Sequence, residues 1–208
     1  MFYGSYRNLR NGAWQCLIDC QINHLPIDIL QIARTADIRV IRNSLVADLQ
    51  PGEQGKSYFN GSHWFIIYDD SLPTVEARFT IAHELGHIFL GHDLTYAKFS
   101  SAKEFESSDK SEQQADMFAI RLLCPACLLW SLELHSAEQI SEVCRIPLWV
   151  AEPRAKRMKT LLRRNCFLKD PLEQRLYEGF KPFVAEYLEK QTLQEQNPDN
   201  SSLKATTN

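Results

Sequence analysis

The sequence lacks a long hydrophobic run. Within its 208 residues, no stretch approaches the roughly 18 to 20 uninterrupted apolar residues of a membrane-spanning helix. The N-terminal segment, MFYGSYRNLRNGAWQC, has neither the apolar core nor the small-residue cleavage site of a secretory signal peptide. We therefore expect a cytoplasmic protein with no membrane segment.

The sequence also lacks an excess of basic residues. Its 23 Lys and Arg stand against 26 Asp and Glu, which gives a formal net charge of -3. This balance argues against general affinity for nucleic acid or anionic membranes, although it leaves room for a local basic patch. With 44% hydrophobic residues, the chain can bury a real core, and nothing in the composition suggests a fibrous or disordered protein.

The sequence has six cysteines, but a chain of this size in the cytoplasm needs no disulfide framework. The pair in CPAC, residues 124–127, lacks the βαβ context of a redox motif. The segment RLLCPAC instead indicates an apolar helix that ends at Pro125. A structural zinc site joining Cys16 and Cys20 to this pair is the alternative, but reduced, buried thiols are favoured because both residues fit an apolar helix face.

Helices and a few short strands precede the centre of the chain. YRNLRNGAWQCLIDCQIN and LPIDILQIARTAD predict two helices, and IRVIRN has the β-branched residues of a strand. HWFIIYDD, residues 63–70, is the strongest strand candidate. We place it at the sheet edge above a cleft, where an extended substrate could add as another strand. The pattern predicts an α+β fold with a small mixed or antiparallel sheet packed on helices.

The segment TIAHELGHIFLGHD contains the candidate metal-binding and catalytic side chains. On a helix capped by Ser71 or Thr74, His83 and His87 lie four positions apart and leave the same face about 6 Å apart along the axis. Two imidazoles so placed can hold one metal ion. Glu84 borders that face, where it can reach a water at the metal rather than bind the metal itself. This H-E-x-x-H spacing is typical of zincin metallopeptidases.

A catalytic zinc site needs a third protein ligand. Asp93 stands in the metzincin register, but Leu90 occupies the position where that pattern requires glycine. His92 is a weaker alternative, because a continuing helix would carry it off the metal-facing side.

The stronger candidate for that third ligand lies in SEQQADMFAIRLLCP. If Ser111 or Ser108 caps this helix, Glu112 falls in the first turn as the ligand. Asp116 then follows one turn later and can accept the free N–H of a ligating histidine.

Two segments, ARFTIAHELGHIFLGH and EQQADMFAIRLLCP, closely resemble the ImmA/IrrE family of metallo-endopeptidases, and the resemblance extends over about residues 10–165. It implies that His83, His87 and Glu112 bind Zn²⁺ and that Glu84 is the catalytic carboxylate of peptide-bond hydrolysis. It also implies a protein substrate, characteristically a DNA-binding helix-turn-helix repressor, so that cleavage switches transcription. Cys124 departs from the methionine frequent in the family, which concerns packing.

The sequence leaves open which residue stabilises the oxyanion and whether the protein is an enzyme or a binding module. The donor that stabilises the tetrahedral oxyanion is not fixed by spacing, and Tyr96, His92 and His63 are the candidates. The alternative to an enzyme is a partner-binding module with little turnover, half of a toxin–antitoxin or phage-type regulatory pair. The presence of Glu84 favours catalysis, because a purely structural metal site does not require it.

The rest of the chain predicts a helical extension. We divide the protein into a zincin-like domain at 1–130, a helical extension at 131–190 and a disordered tail at 191–208. Within the extension, Pro147 separates two helices in an arrangement similar to a helix-turn-helix, and residues 145–169 are strongly basic. Contact with DNA phosphates is one interpretation, and a docking helix with a solvated basic face is the favoured one.

Overall fold

One small sheet packs on helices. The computed structural model describes residues 1–4, 9–92 and 110–196. Within these ranges the elements are, in chain order, α1 (Leu9–Asp19), α2 (Ile29–Thr35), β1 (Ile38–Arg42), α3 (Asn43–Val46), β2 (Gly55–Phe59), β3 (Trp64–Tyr68), α4 (Thr74–Leu90), α5 (Lys110–Leu123), α6 (Ala126–Ser131), α7 (Ala137–Cys144), α8 (Leu148–Arg163) and α9 (Pro171–Gln196). None of the helices in these ranges combines the length and the apolar character that crossing a membrane requires.

The three described strands form a mixed sheet in the order β1-β3-β2. β1 runs parallel to β3, with Ile38 opposite Trp64, and β2 runs antiparallel to β3, with Gly55 opposite Tyr68. The predicted α+β class with a small sheet packed on helices is confirmed. The prediction that HWFIIYDD lies at the sheet edge is wrong, because β3 has a strand on each side and β2 is an outer strand.

Helix α4 carries the histidine motif. It begins after Pro73, and no side chain caps it, so the predicted caps Ser71 and Thr74 are wrong. Thr74 is already the first helical residue, and the hydroxyl of Ser71 donates to Asp69 instead, at 2.6 Å. At its other end the helix stops at Gly91, whose φ of 70° is in the left-handed region that favours glycine.

Helices α4 and α5 approach each other closely at Gly86. A Cβ atom added there would lie 3.0 Å from the carbonyl oxygen of Ala115. Helix α5 begins at Lys110, so Ser111 lies inside it rather than capping it, and Ser108 lies outside the described residues. Glu112 is nevertheless in the first turn, as predicted. The missing side chain at Gly86 lets the acidic start of α5 come next to the histidines.

The C-terminal helices share the core with the rest of the chain. One contiguous cluster of buried residues extends from Tyr3 to Val184, so the division at residue 130 stays a prediction. α7 and α8 are separated by Pro147, as the sequence indicated. α9 continues to Gln196, inside the segment predicted to be a disordered tail, and residues 197–208 lie outside the described ranges.

The cysteines are all reduced, as predicted. Five are buried and Cys166 is exposed. Helix α5 ends at Leu123 and Pro125 precedes α6, which agrees with an apolar helix ended by proline.

Candidate metal centre

The imidazoles of His83 and His87 meet on one face of α4. Their spacing of four residues puts them one helical turn apart, and their Nε2 atoms lie 2.9 Å from each other. Both side chains are buried, with exposures of 0% and 1%. Two ring nitrogens therefore converge on one point at a protected position.

The third group comes from α5. Oxygens of the Glu112 carboxylate lie 3.2 Å from Nε2 of His83 and 3.3 Å from Nε2 of His87. Across the described part of the chain, these three residues are the His, Cys, Asp and Glu group of three or more whose donor atoms are close enough to hold one metal ion. The alternative four-cysteine zinc site is not such a group.

The spacing of these donor atoms fits a metal ion. Zinc–nitrogen distances of about 2.0 to 2.1 Å in a tetrahedral site imply ligand atoms about 3.3 Å apart. The three separations described above lie between 2.9 and 3.3 Å. Two imidazoles and a carboxylate could therefore hold a metal ion with little rearrangement, and they leave a fourth position for water or substrate.

The pKa values of His83 and Glu112 are shifted in the directions that contact between the histidines and the carboxylate predicts. Burial opposes the charged form of His83, but hydrogen bonds to Asp116 and Glu112 and the nearby charge of Glu84 raise its pKa from 6.5 to about 9. Burial also opposes ionisation of Glu112, yet its bonds to His83 and His87 lower its pKa from 4.5 to about 2. A divalent cation would replace the proton that these carboxylates attract.

Each histidine also has a partner at Nδ1, the ring nitrogen that faces away from the other two candidate ligands. Asp116 lies 2.8 Å from Nδ1 of His83, as the sequence predicted for a residue that orients this ring. His92 plays the matching part for His87: its Nδ1 is 3.1 Å from Nδ1 of His87, and its Nε2 is 3.1 Å from Oε1 of Gln114.

The predicted effect of a continuing helix on His92 is wrong. The helix does not continue to residue 92, because α4 ends at Leu90 and the chain turns back at Gly91. The turn places the His92 ring against Nδ1 of His87, whereas the candidate metal-binding atom of His87 is Nε2. Sequence spacing alone does not reveal this contact.

The carboxylate of Glu84 is held by strand β2. Oγ of Ser57 donates a hydrogen bond to Oε2 of Glu84 at 2.7 Å, and both residues are buried. The same strand approaches α4 at Gly55, where an added Cβ would lie 2.4 Å from a methyl carbon of Thr80. Sequence reasoning did not single out Ser57, because its role depends on how β2 packs on α4.

Three further candidates were predicted, namely Asp93, Tyr96 and His63. Asp93 and Tyr96 are outside the described residues. His63 lies 3.6 Å from Asp37, just before β3. The described contacts do not assign oxyanion stabilisation to a residue, and this role stays a prediction for Tyr96, His92 and His63.

Comparison with protein families agrees with this geometry. The family model for the IrrE N-terminal-like domain, Peptidase_M78, matches residues 33–154. The chain belongs to this family. The matched Peptidase_M78 region contains β1 to α7 and the start of α8, and so includes every residue of the cluster described above. A search of curated proteins finds no match to the chain.

Membership of Peptidase_M78 supports a metallopeptidase-type activity and hence a protein substrate. It also confirms the resemblance to ImmA/IrrE proteins inferred from the two motif segments. The match crosses residue 130 and extends into α8, while α1 and α9 lie outside it.

Proposed function

We propose that this protein is a zinc-dependent endopeptidase that hydrolyses a peptide bond in a protein substrate. The observation that carries the proposal is the convergence of His83, His87 and Glu112 beside the carboxylate of Glu84. The three ligand candidates come from two helices that pack closely, so the site is formed by tertiary structure and not by one segment alone.

The donor set supports zinc as the metal. Two histidines and one glutamate with an open fourth position form a known catalytic zinc arrangement. Asp116 would fix the tautomer of His83 by accepting its Nδ1–H, which leaves Nε2 free to bind the ion. When bound, zinc polarises a peptide carbonyl and lowers the pKa of a coordinated water to about 7.

Glu84 is the proposed general base and then general acid. Ser57 donates to Oε2 of Glu84, and no hydrogen bond from a described residue reaches Oε1. Oε1 is therefore the oxygen we assign to take the proton of the attacking water and to deliver it to the leaving amine. Ser57 keeps the carboxylate in one orientation during both transfers.

Strand β2 supports an extended protein substrate. It is an outer strand of the described sheet, and its middle residue Ser57 touches Glu84. A peptide that pairs with the open edge of β2 would run past the catalytic carboxylate. The strand to which we propose an extended substrate adds is therefore β2 and not β3.

We further propose a DNA-binding helix-turn-helix repressor as the substrate and the cytoplasm as the location. The support is the family to which the chain belongs together with the resemblance described above. Direct DNA contact by the 145–169 segment is not favoured. Arg154, one of its basic residues, is buried and bonds to the carbonyl oxygen of Cys124.

The decisive experiment compares wild type with Glu84→Gln. Each protein is loaded with zinc and incubated with the repressor encoded beside its gene, and intact mass and operator binding are followed. We expect wild type to cleave the repressor, and Glu84→Gln to keep its zinc and bind the repressor without cutting it.

Cleavage by Glu84→Gln at the wild-type rate would remove the proposed mechanism. Tight binding by both proteins without cleavage by either would replace the enzyme with the partner-binding module. A separate zinc measurement on Glu112→Ala distinguishes loss of metal from loss of the base.

A further inference from the structure

A second concentration of charged groups lies away from the candidate metal centre. A cavity of about 80 Å³ lies between α1, α5, α8 and the start of α9. Arg121, which lines it, stands about 14 Å along α5 from Glu112 at 1.5 Å rise per residue. The charged and aromatic residues of its lining are Arg10, Trp14, Arg121, Arg154, Arg157 and Glu173.

This lining has an excess of positive charge. Four arginines face a single glutamate, a formal excess of three positive charges. Glu173 is 3% exposed, and burial raises its pKa, which weakens its ability to balance the arginines. Arg10 pairs with Asp170 at 3.1 Å and stacks over Trp14 at 4.4 Å from the ring centre.

None of the other three arginines, Arg121, Arg154 and Arg157, forms an ion pair with a described residue. Arg154 is buried and donates from Nε to the carbonyl oxygen of Cys124 at 3.0 Å. Arg121 donates to the carbonyl oxygen of Met117 at 3.0 Å. Carbonyl acceptors satisfy N–H groups but do not cancel the charges.

The positive charges of neighbouring arginines also lower the pKa of Arg121. Burial and the charges of Arg154, Arg157 and Arg10 lower the pKa of Arg121 to about 10. Like charges held together in a partly buried place destabilise the protein unless an anion joins them.

The volume of the cavity and its opening to solvent indicate which anion it can bind. A water needs about 10 to 15 Å³ of cavity volume, so this cavity has room for several waters or for one phosphate group. Guanidinium groups match phosphate oxygens in geometry as well as charge. Arg157 and Cys166 are exposed and mark the opening to solvent, through which the rest of a small molecule could extend.

We propose that this arginine cavity binds a phosphate group, either as inorganic phosphate or as the phosphate of a small metabolite. The bound anion joins α1 and α5 to α8, and so fastens the C-terminal helices to the part of the chain that carries the candidate metal centre. This proposal stands apart from the endopeptidase proposal, and neither depends on the other.

The test is calorimetric titration of the zinc-loaded full chain at constant ionic strength. The probes are inorganic phosphate, AMP as a phosphate monoester and adenosine as the same molecule without phosphate. Arg157→Gln and Arg121→Gln alter the cavity, and Arg163→Gln, on the exposed surface of α8, is the matched control. Circular dichroism without phosphate checks that each variant is folded.

We expect phosphate to bind wild type and each cavity variant to weaken binding by about tenfold or more, with Arg163→Gln within about twofold of wild type. Tighter binding of AMP than of phosphate would identify a metabolite as the source, and equal binding would identify inorganic phosphate. In both cases adenosine should not bind.

Three results would overturn the proposal. Phosphate heats no larger than those of chloride would mean ionic screening only. Binding that the cavity variants leave unchanged would place the anion elsewhere, including at the metal. Arginine-dependent binding of a DNA duplex without binding of phosphate or AMP would assign the surface to nucleic acid.

Discussion

The hydroxyl of Ser57 donates a 2.7 Å hydrogen bond to Oε2 of Glu84, and this contact joins a sheet strand to the proposed catalytic carboxylate. If the bond orients Glu84 for proton transfer, Ser57→Ala should lower kcat about tenfold with little change in KM or zinc content. Ser57→Thr, which keeps a hydroxyl, should recover much of the loss. Steady-state kinetics on a peptide substrate measure both constants.

Ser62, exposed between β2 and β3, provides the matched control for this prediction. Ser62→Ala should behave as wild type. If Ser57→Ala raises KM and leaves kcat unchanged, Ser57 acts in substrate binding and does not position Glu84.

The contact of Asp116 with His83 predicts a graded loss of metal. Asp116→Ala should weaken zinc affinity by about 10 to 100 fold without abolishing binding, because the ring of His83 loses the group that fixes its tautomer. Glu112→Ala should lose most of the metal, because it removes a proposed ligand. Competition with a zinc chelator measures both affinities.

Asp93→Ala is the comparison that separates the two possible third ligands. Full zinc occupancy in Glu112→Ala, together with loss of zinc in Asp93→Ala, would reject Glu112 in favour of the metzincin register. An unchanged affinity in Asp116→Ala would reject the orienting role.

The close approach of α4 and α5 predicts opposite effects of one substitution at two glycines. At Gly86 a Cβ meets the Ala115 backbone at 3.0 to 3.1 Å, whereas at Gly179 in α9 nothing lies within 4 Å. Gly86→Ala should lower the free energy of unfolding by about 1 to 3 kcal/mol and weaken zinc binding, because α5 must move away with Glu112.

Gly179→Ala should instead raise the free energy of unfolding by up to about 1 kcal/mol, since alanine favours the helix and meets no neighbour. Denaturant unfolding and zinc titration measure the two variants. Equal stabilisation of both would show that the helix contact at Gly86 does not limit the site.

The raised pKa of His83 predicts how metal-free protein and zinc affinity depend on pH. Its folded pKa of about 9 lies above the ordinary 6.5, so its contribution to stability is complete below about pH 6.5 and is lost as pH rises through 9. Zinc must displace this proton, so zinc affinity should rise up to about tenfold per pH unit between pH 6.5 and 9.

Glu112, with a pKa near 2, is already ionised throughout this range and should release no proton. Calorimetry in buffers of different ionisation enthalpy counts the protons released on zinc binding to the wild type. An affinity that does not change between pH 6.5 and 9 would contradict the pairing of His83 with its carboxylates.

The sequence by itself determined the main elements of the candidate site. The helical period places His83 and His87 on one face wherever that helix lies, and Glu112 and Asp116 share a face for the same reason. The motif segments were specific enough to indicate the family, which the match over residues 33–154 then showed. Local periodicity also identified β1 and β3 and the helix pair around Pro147.

Only the tertiary structure decided which groups from different elements touch. Periodicity says which way a side chain points along its own element, but it carries no information about the neighbour it meets. The order β1-β3-β2, the bond from Ser57 to Glu84 and the turn that returns His92 to His87 all depend on packing between elements distant in sequence or on a helix end. The arginine cavity has the same origin, because its charges come from α1, α5 and α8 and become neighbours only when those helices pack together.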